Sequence, residues 1–94
     1  MTDAPRALEL YERAVTLVGA KGAFITAGTT KLMEYRAGSL IVRYEPTPGS
    51  LEVWFNGKVL RVKCRNDTLH VIRYRPGPWE QELEEAAKQK PAVT

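Results

Sequence analysis

Apolar and polar residues alternate with a period of two along most of the chain, from Lys31 to Arg75. Turn-forming segments interrupt the alternation at regular intervals: Ala37-Gly38, Pro46-Thr47-Pro48-Gly49, Asn56-Gly57 and Asn66-Asp67. Asn-Gly between alternating segments is a strong hairpin signal, because both central residues must adopt positive φ. The pattern predicts five antiparallel strands, near residues 31–36, 39–45, 50–56, 58–65 and 68–75.

Helical periodicity precedes this segment. Residues 3–18 place apolar side chains on one stripe, with Thr2 or Asp3 available as the N-cap and Gly19 or Gly22 available as the end. Residues 19–30 are small and Gly-rich around Phe24-Ile25, and the pattern leaves open whether they form a loop or a short extra strand.

A second, shorter helix is predicted after the last strand, over residues 79–89. Trp79, Leu83 and Ala87 recur at i, i+4 and i+8, and acidic residues occupy the first turn, where the helix dipole favours them. This helix could cover part of the sheet's second face or pack beside the first helix. The predicted fold is α+β: an N-terminal helix, a five-stranded antiparallel β-meander and a short C-terminal helix. Residues 1–90 form a single domain, and residues 91–94 form a disordered tail.

The turns also predict which side chains share a face of the sheet. A two-residue turn at Asn56-Gly57 pairs Trp54 with Val59 and Glu52 with Arg61, and the other turns extend this register. One face then collects nearly all the apolar strand residues and is the predicted core: Met33, Tyr35, Leu40, Val42, Tyr44, Leu51, Val53, Phe55, Leu60, Val62, Cys64, Leu69 and Val71.

The opposite face is predicted to carry an apolar, aromatic band formed by Ile41, Trp54, Val59 and Tyr74. Its neighbours in the same row include Glu34, and a second row places Leu32, Arg43, Glu52, Arg61 and Ile72 side by side. A solvated sheet face should not carry such a band, so a helix or a partner must cover it. Aromatic side chains surrounded by charges are typical of a protein-binding surface.

Charge is distributed unevenly around the net value of +3. The last two predicted strands carry six cations against Asp67, and the last helix is acidic. Arg61, Lys63 and Arg65 are predicted to share a face with Trp54 and Tyr74, a combination that also suits single-stranded nucleic acid. Arg73 and Arg75 are expected to project on the core side, which dilutes this basic cluster.

No residues form a recognisable catalytic or metal-binding motif. His70 is the one histidine and Cys64 the one cysteine, so a catalytic triad, a histidine metal site and an internal disulfide are not expected. Gly28-Thr29-Thr30-Lys31 lacks the order of a phosphate-binding loop. We expect no catalytic residue, no cofactor and no small-molecule substrate.

The start of the chain has neither the basic residues nor the apolar run of a signal peptide, and no segment approaches the length of a membrane span. We therefore expect a cytoplasmic protein without a membrane partner. The predicted function is a small non-enzymatic module that binds protein, including a second copy of itself as a homodimer, through Ile41, Trp54, Val59 and Tyr74. The alternative is a single-stranded nucleic-acid-binding protein that uses Arg61, Lys63 and Arg65.

Overall fold

A computed structural model describes residues 4–88. Along the chain, one helix precedes and one follows a six-stranded antiparallel meander, in which every strand pairs with its neighbour in sequence. The predicted α+β class and element order are confirmed. The elements are α1 (Ala4–Lys21), β1 (Ala23–Ala27), β2 (Thr30–Ala37), β3 (Leu40–Glu45), β4 (Ser50–Phe55), β5 (Lys58–Arg65), β6 (Thr68–Tyr74) and α2 (Pro78–Lys88). The predicted caps Thr2 and Asp3, the end of the second helix at residue 89 and the predicted tail 91–94 lie outside the described residues.

The first helix continues through Gly19 and stops at Lys21, three residues beyond its predicted end. The amide of Gly22 donates to the carbonyl of Val18 at 2.8 Å and closes the last turn. A methyl group on Gly22 would lie 2.6 Å from the Val18 carbonyl oxygen and 2.9 Å from the Glu34 carbonyl oxygen. Gly22 is therefore the point where the chain leaves α1 and passes directly against β2.

We expect Gly22→Ala to lower the free energy of unfolding by about 1–3 kcal/mol, because the added methyl group collides with backbone atoms. Gly19→Ala is the matched control. No heavy atom lies within 4 Å of the methyl group it would add, and alanine favours a helix interior by about 0.5–1 kcal/mol. Urea denaturation of both variants measures the difference. Equal effects at the two positions would contradict the close approach at Gly22.

Residues 19–30 include a strand, so the sheet has six strands and the predicted number of five is wrong. Ala23–Ala27 pairs with β2 around a turn at Gly28-Thr29, where Gly28 has a φ of 66°. A glycine with positive φ at the first central position is typical of a type II′ hairpin turn. The Phe24-Ile25 pair is therefore part of an edge strand.

The next hairpin turn lies one residue later than predicted, at Gly38-Ser39. Ala37 pairs with Leu40, and Gly38 has a φ of 60°. A primed hairpin turn needs positive φ at its first central position, which glycine adopts freely and alanine does not. Because the register moves by two residues, each side chain keeps its predicted face, but Glu34 lies beside Arg43 and not beside Ile41.

The predicted core face is confirmed. Twelve of its thirteen residues are buried or pack against the buried cluster, and Cys64, the thirteenth, is half-buried. On the helix side of the sheet, α1 contributes five buried side chains: Ala7, Leu10, Ala14, Leu17 and Val18. Burial raises the pKa of Tyr11 to about 12, helped by Tyr44 and Cys64, so its hydroxyl stays protonated and donates to the Gly49 carbonyl at 3.4 Å.

Two β-bulges change the position of Val59 and Tyr74, which strict alternation places on the face of the sheet away from the core. Trp54 pairs with Lys58, and the register then shifts before Val53 pairs with Leu60, so Val59 is an extra residue. A second shift makes Ile72 the extra residue, so Tyr74 pairs with Leu60 and not with Val59. Val59 and Tyr74 consequently pack against the core. Their predicted place on the opposite face is wrong, because each bulge inserts one residue and reverses the alternation.

The second helix packs beside α1. Of the two positions that the sequence left open for it, this is the one observed, and the helix does not cover the second face of the sheet. Trp79 is buried, its Nε1 donates to the Arg75 carbonyl at 2.6 Å, and its ring meets Tyr74 edge-on at 6.2 Å. Arg6 donates to Glu80 at 2.9 Å and to Glu84 at 3.1 Å, joining the two helices. None of the helices described in residues 4–88 is long and apolar enough to cross a membrane.

Candidate functional site

Because both helices lie on one side of the sheet, the other side, here called the open face, is not covered by any element within residues 4–88. The strand pairings define its side chains. Those of Glu34, Arg43, Glu52, Arg61 and Arg73 follow one another across β2 to β6 and form what we call the central row. The open face is therefore available to a partner.

The charges of the central row alternate from Glu34 to Arg61, and Arg73 then repeats the positive charge of Arg61. The Glu34 carboxylate accepts from Arg36 at 2.8 Å and from Arg43 at 2.7 Å, and Arg61 pairs with Glu52 at 3.1 Å. The predicted arrangement of Arg43 and Arg61 on either side of Glu52 is confirmed. The hydrogen bond from Arg36 lowers the pKa of Glu34; burial opposes this, and Arg43 adds to the lowering.

The carboxylates of the central row are shielded before any partner binds. The side chain of Glu34 is 13% exposed and that of Glu52 is 24% exposed, since the longer arginines lie over them. The two carboxylates have therefore lost much of their exposure to water within the sheet, whereas Arg43 and Arg61 are still 39% and 37% exposed. This row can be covered at a lower cost than an equal number of free charges.

Of the four predicted partner-binding residues, the structure leaves two on the open face. Ile41 and Trp54 are direct cross-strand partners and are half-buried there, next to the central row. Val59 and Tyr74 face the helices. The bulge residue Ile72 is 53% exposed, an apolar contribution that the predicted band did not include. The adjacent apolar pair Val71-Ile72 is the signal that could have indicated this bulge, since strict alternation does not allow it.

The predicted nucleic-acid contacts lie together at the β5 and β6 side of the sheet. Arg61 is paired with Glu52, Lys63 is half-buried beside His70, and Arg65 is exposed. Arg73 pairs with Arg61 across the strands, so it lies on the open face and its predicted position on the core side is wrong. The second bulge therefore adds one cation to this basic cluster and removes one aromatic ring, that of Tyr74.

A depression of about 280 Å³ separates the central row from the next row of side chains. Its lining includes Arg43, Arg61 and Lys63, but also Glu45 and Glu52. The two carboxylates oppose the binding of an anion at this position. The depression therefore adds little support to a phosphate-binding role.

The other two residues considered in the sequence, His70 and Cys64, lie on adjacent strands. His70 is exposed beside Lys63, and Cys64 lies on the helix side beside Gly49. Among residues 4–88, no group of three or more His, Cys, Asp or Glu side chains is placed to hold a metal ion. The open face thus remains the candidate site.

Comparison with known proteins adds no relative: no protein-family model, curated protein or solved structure matches this chain.

Proposed function

We propose that this chain is a non-enzymatic interaction module whose open face binds the open face of a second copy. The observation that supports this is the order of charges along the central row. A two-fold axis between β3 and β4, parallel to the strands, places Arg43 opposite Glu52 of the second copy. The same axis places Arg61 opposite Glu34 of the second copy. Electrostatic complementarity of this kind fixes register and disfavours other partners.

The apolar pair is complementary about the same axis. Ile41 lies opposite Trp54 of the second copy, and this contact occurs twice, on either side of the axis. An aromatic ring packed against an aliphatic side chain near the centre of a patch is the usual position of a binding hot spot. The strands of two aligned, packed sheets cross at about 30°. Side chains of the two copies are therefore matched best near the axis, and the match is lost towards β1 and β6.

The size of the open face suits such a contact. Six strands about 4.8 Å apart and about six residues long cover on the order of 500 Å² in projection. The accessible area is larger, because side chains project from the sheet. It is comparable with the roughly 800 Å² that each partner contributes to a standard interface. The resulting homodimer would have two sheets inside and the helices outside.

The test is Ile41→Lys, which introduces a charge at the centre of the open face. We expect the dissociation constant of the face-to-face dimer to rise about 100-fold or more, since an unpaired charge must be desolvated on association. The fold should persist because Ile41 lies outside the core cluster. Gln81→Lys is the control, since it adds the same charge at an exposed position on α2. Sedimentation equilibrium measures the dissociation constants of both variants. If Ile41→Lys associates through the open face as tightly as the wild type does, the proposal is refuted.

Single-stranded nucleic acid is the second candidate, favoured by the addition of Arg73 to Arg61, Lys63 and Arg65. Titration of a labelled single-stranded oligonucleotide at several salt concentrations separates it from self-association. If the protein binds phosphates, the logarithm of the association constant should fall with the logarithm of the salt concentration, with a slope of about −0.7 for each phosphate contact. Binding with such a slope would support the nucleic-acid function, and no binding at low salt would exclude it.

A further inference from the structure

The two edges of the sheet differ in how well they are protected from pairing with another strand. At one edge, β6 carries a bulge at Ile72, the charged residue Arg73 and the polar residue His70, and Pro76 follows it. Bulges, charges and proline are the usual means by which an edge strand avoids further pairing. The opposite edge, β1, has none of them: Ala23–Ala27 contains no charge and no proline, and its pairing with β2 is regular.

The β1 edge is also exposed and apolar. Four of its five residues are exposed, and the side chain of Phe24 is 73% exposed, the highest value among the large apolar residues described. Phe24 pairs with Met33, whose side chain packs against the core, so Phe24 lies on the helix side of the sheet and outside the open face. An uncharged edge strand with an exposed aromatic ring is a template for strand addition.

The sequence around β1 indicates what would pair with it. Residues 22–28, Gly-Ala-Phe-Ile-Thr-Ala-Gly, are close to a palindrome centred on Ile25. When two such segments run antiparallel about a two-fold axis at Ile25, glycine meets glycine and alanine meets alanine at the ends. Phe24 lies opposite Thr26 of the second copy, a pairing of aromatic and β-branched side chains that stabilises strands.

We infer that β1 is a second self-association site, at which two copies pair their β1 strands antiparallel about Ile25. The two-fold axis of this contact is perpendicular to the sheet, so both sheets join into one and both open faces lie on the same side. The contact is independent of the face-to-face interface. Either can form without the other. Because the two axes are perpendicular but do not meet, one lying between β3 and β4 and the other at β1, both contacts together would give an open chain of copies and not a closed ring.

The register can be tested with two double variants that change the same exposed positions. Phe24→Lys with Thr26→Lys places like charges opposite each other twice, and we expect the β1 contact to weaken about 100-fold or more. Phe24→Glu with Thr26→Lys places opposite charges at the same positions, and association should stay within about tenfold of the wild type. Native mass spectrometry and sedimentation measure the mass, and far-UV circular dichroism confirms the fold.

The inference is overturned if the lysine pair leaves the mass unchanged, or if the glutamate–lysine pair dissociates as far as the lysine pair does. The two interfaces are told apart by their variants. Loss of association with Ile41→Lys alone indicates the open face, and loss with the lysine pair alone indicates β1. If both contacts form, the wild type should give masses above that of a dimer, each variant alone should give a dimer, and the combination should give a monomer.

Discussion

Trp79→Ala is expected to lower the free energy of unfolding by about 3–5 kcal/mol, the usual cost of removing a buried tryptophan. Trp79 is 1% exposed and belongs to the main core cluster. Its removal leaves a cavity between α2 and the sheet, ends the edge-on contact with Tyr74 and removes the hydrogen bond to the Arg75 carbonyl. Urea denaturation followed by far-UV circular dichroism measures the loss, and Trp54 remains as a fluorescent probe.

Trp79→Phe is the control for this prediction. The phenyl ring keeps most of the packing but cannot donate to the Arg75 carbonyl, so its cost should approach the roughly 1 kcal/mol of one hydrogen bond plus the smaller ring volume. A loss below about 1 kcal/mol for Trp79→Ala would show that α2 does not share the core with α1 and the sheet.

Tyr74→Ala and Trp54→Ala are expected to differ sharply, although strict alternation places both residues on one face. Tyr74→Ala should cost about 2–4 kcal/mol, since Tyr74 packs against the core and its hydroxyl donates to Glu80 at 3.1 Å. Trp54→Ala should cost about 1 kcal/mol, because Trp54 lies on the open face, outside the core cluster. Trp54→Ala should instead weaken self-association.

Thermal and urea denaturation of the two single variants, with sedimentation of each, tests this difference. Tyr74→Phe serves as the control for Tyr74→Ala, since it keeps the ring and removes the hydroxyl that donates to Glu80. If Trp54→Ala destabilises the fold as much as Tyr74→Ala and leaves association unchanged, the assignment of the two residues to opposite faces is wrong.

Most of the fold could be predicted because hairpin turns and alternation act over short distances. The pairing of β3 with β4 follows the predicted register throughout, and the positive φ of Asn56, Gly57, Asn66 and Asp67 agrees with the predicted turns. The sixth strand could also have been found. Gly28-Thr29 has the same glycine-first pattern as Gly38-Ser39, and this pattern marks both turns.

The candidate site was harder to predict, because a bulge reverses the alternation on one side of it. The bulge at Val59 changes the start of β5, and the bulge at Ile72 changes the end of β6. Val59-Leu60 and Val71-Ile72 are adjacent apolar pairs that signal a break in alternation, but each pair is compatible with a bulge at either residue. The choice depends on long-range packing. Tyr74 turns inward where Trp79 and Glu80 of α2 receive its ring and hydroxyl.

The meander also bears on how the chain folds. Each strand pairs with the next one along the chain, so every hairpin closes a short loop and loses little chain entropy. Arg6 and Glu80, by contrast, are 74 positions apart. Docking of α2 on α1 joins parts of the chain that are far apart in sequence. This step loses little further chain entropy once the sheet has formed, because the sheet has already brought the two helices close together. The helix pair should therefore form after the folding transition state, and its contacts should govern mainly how slowly the native protein unfolds.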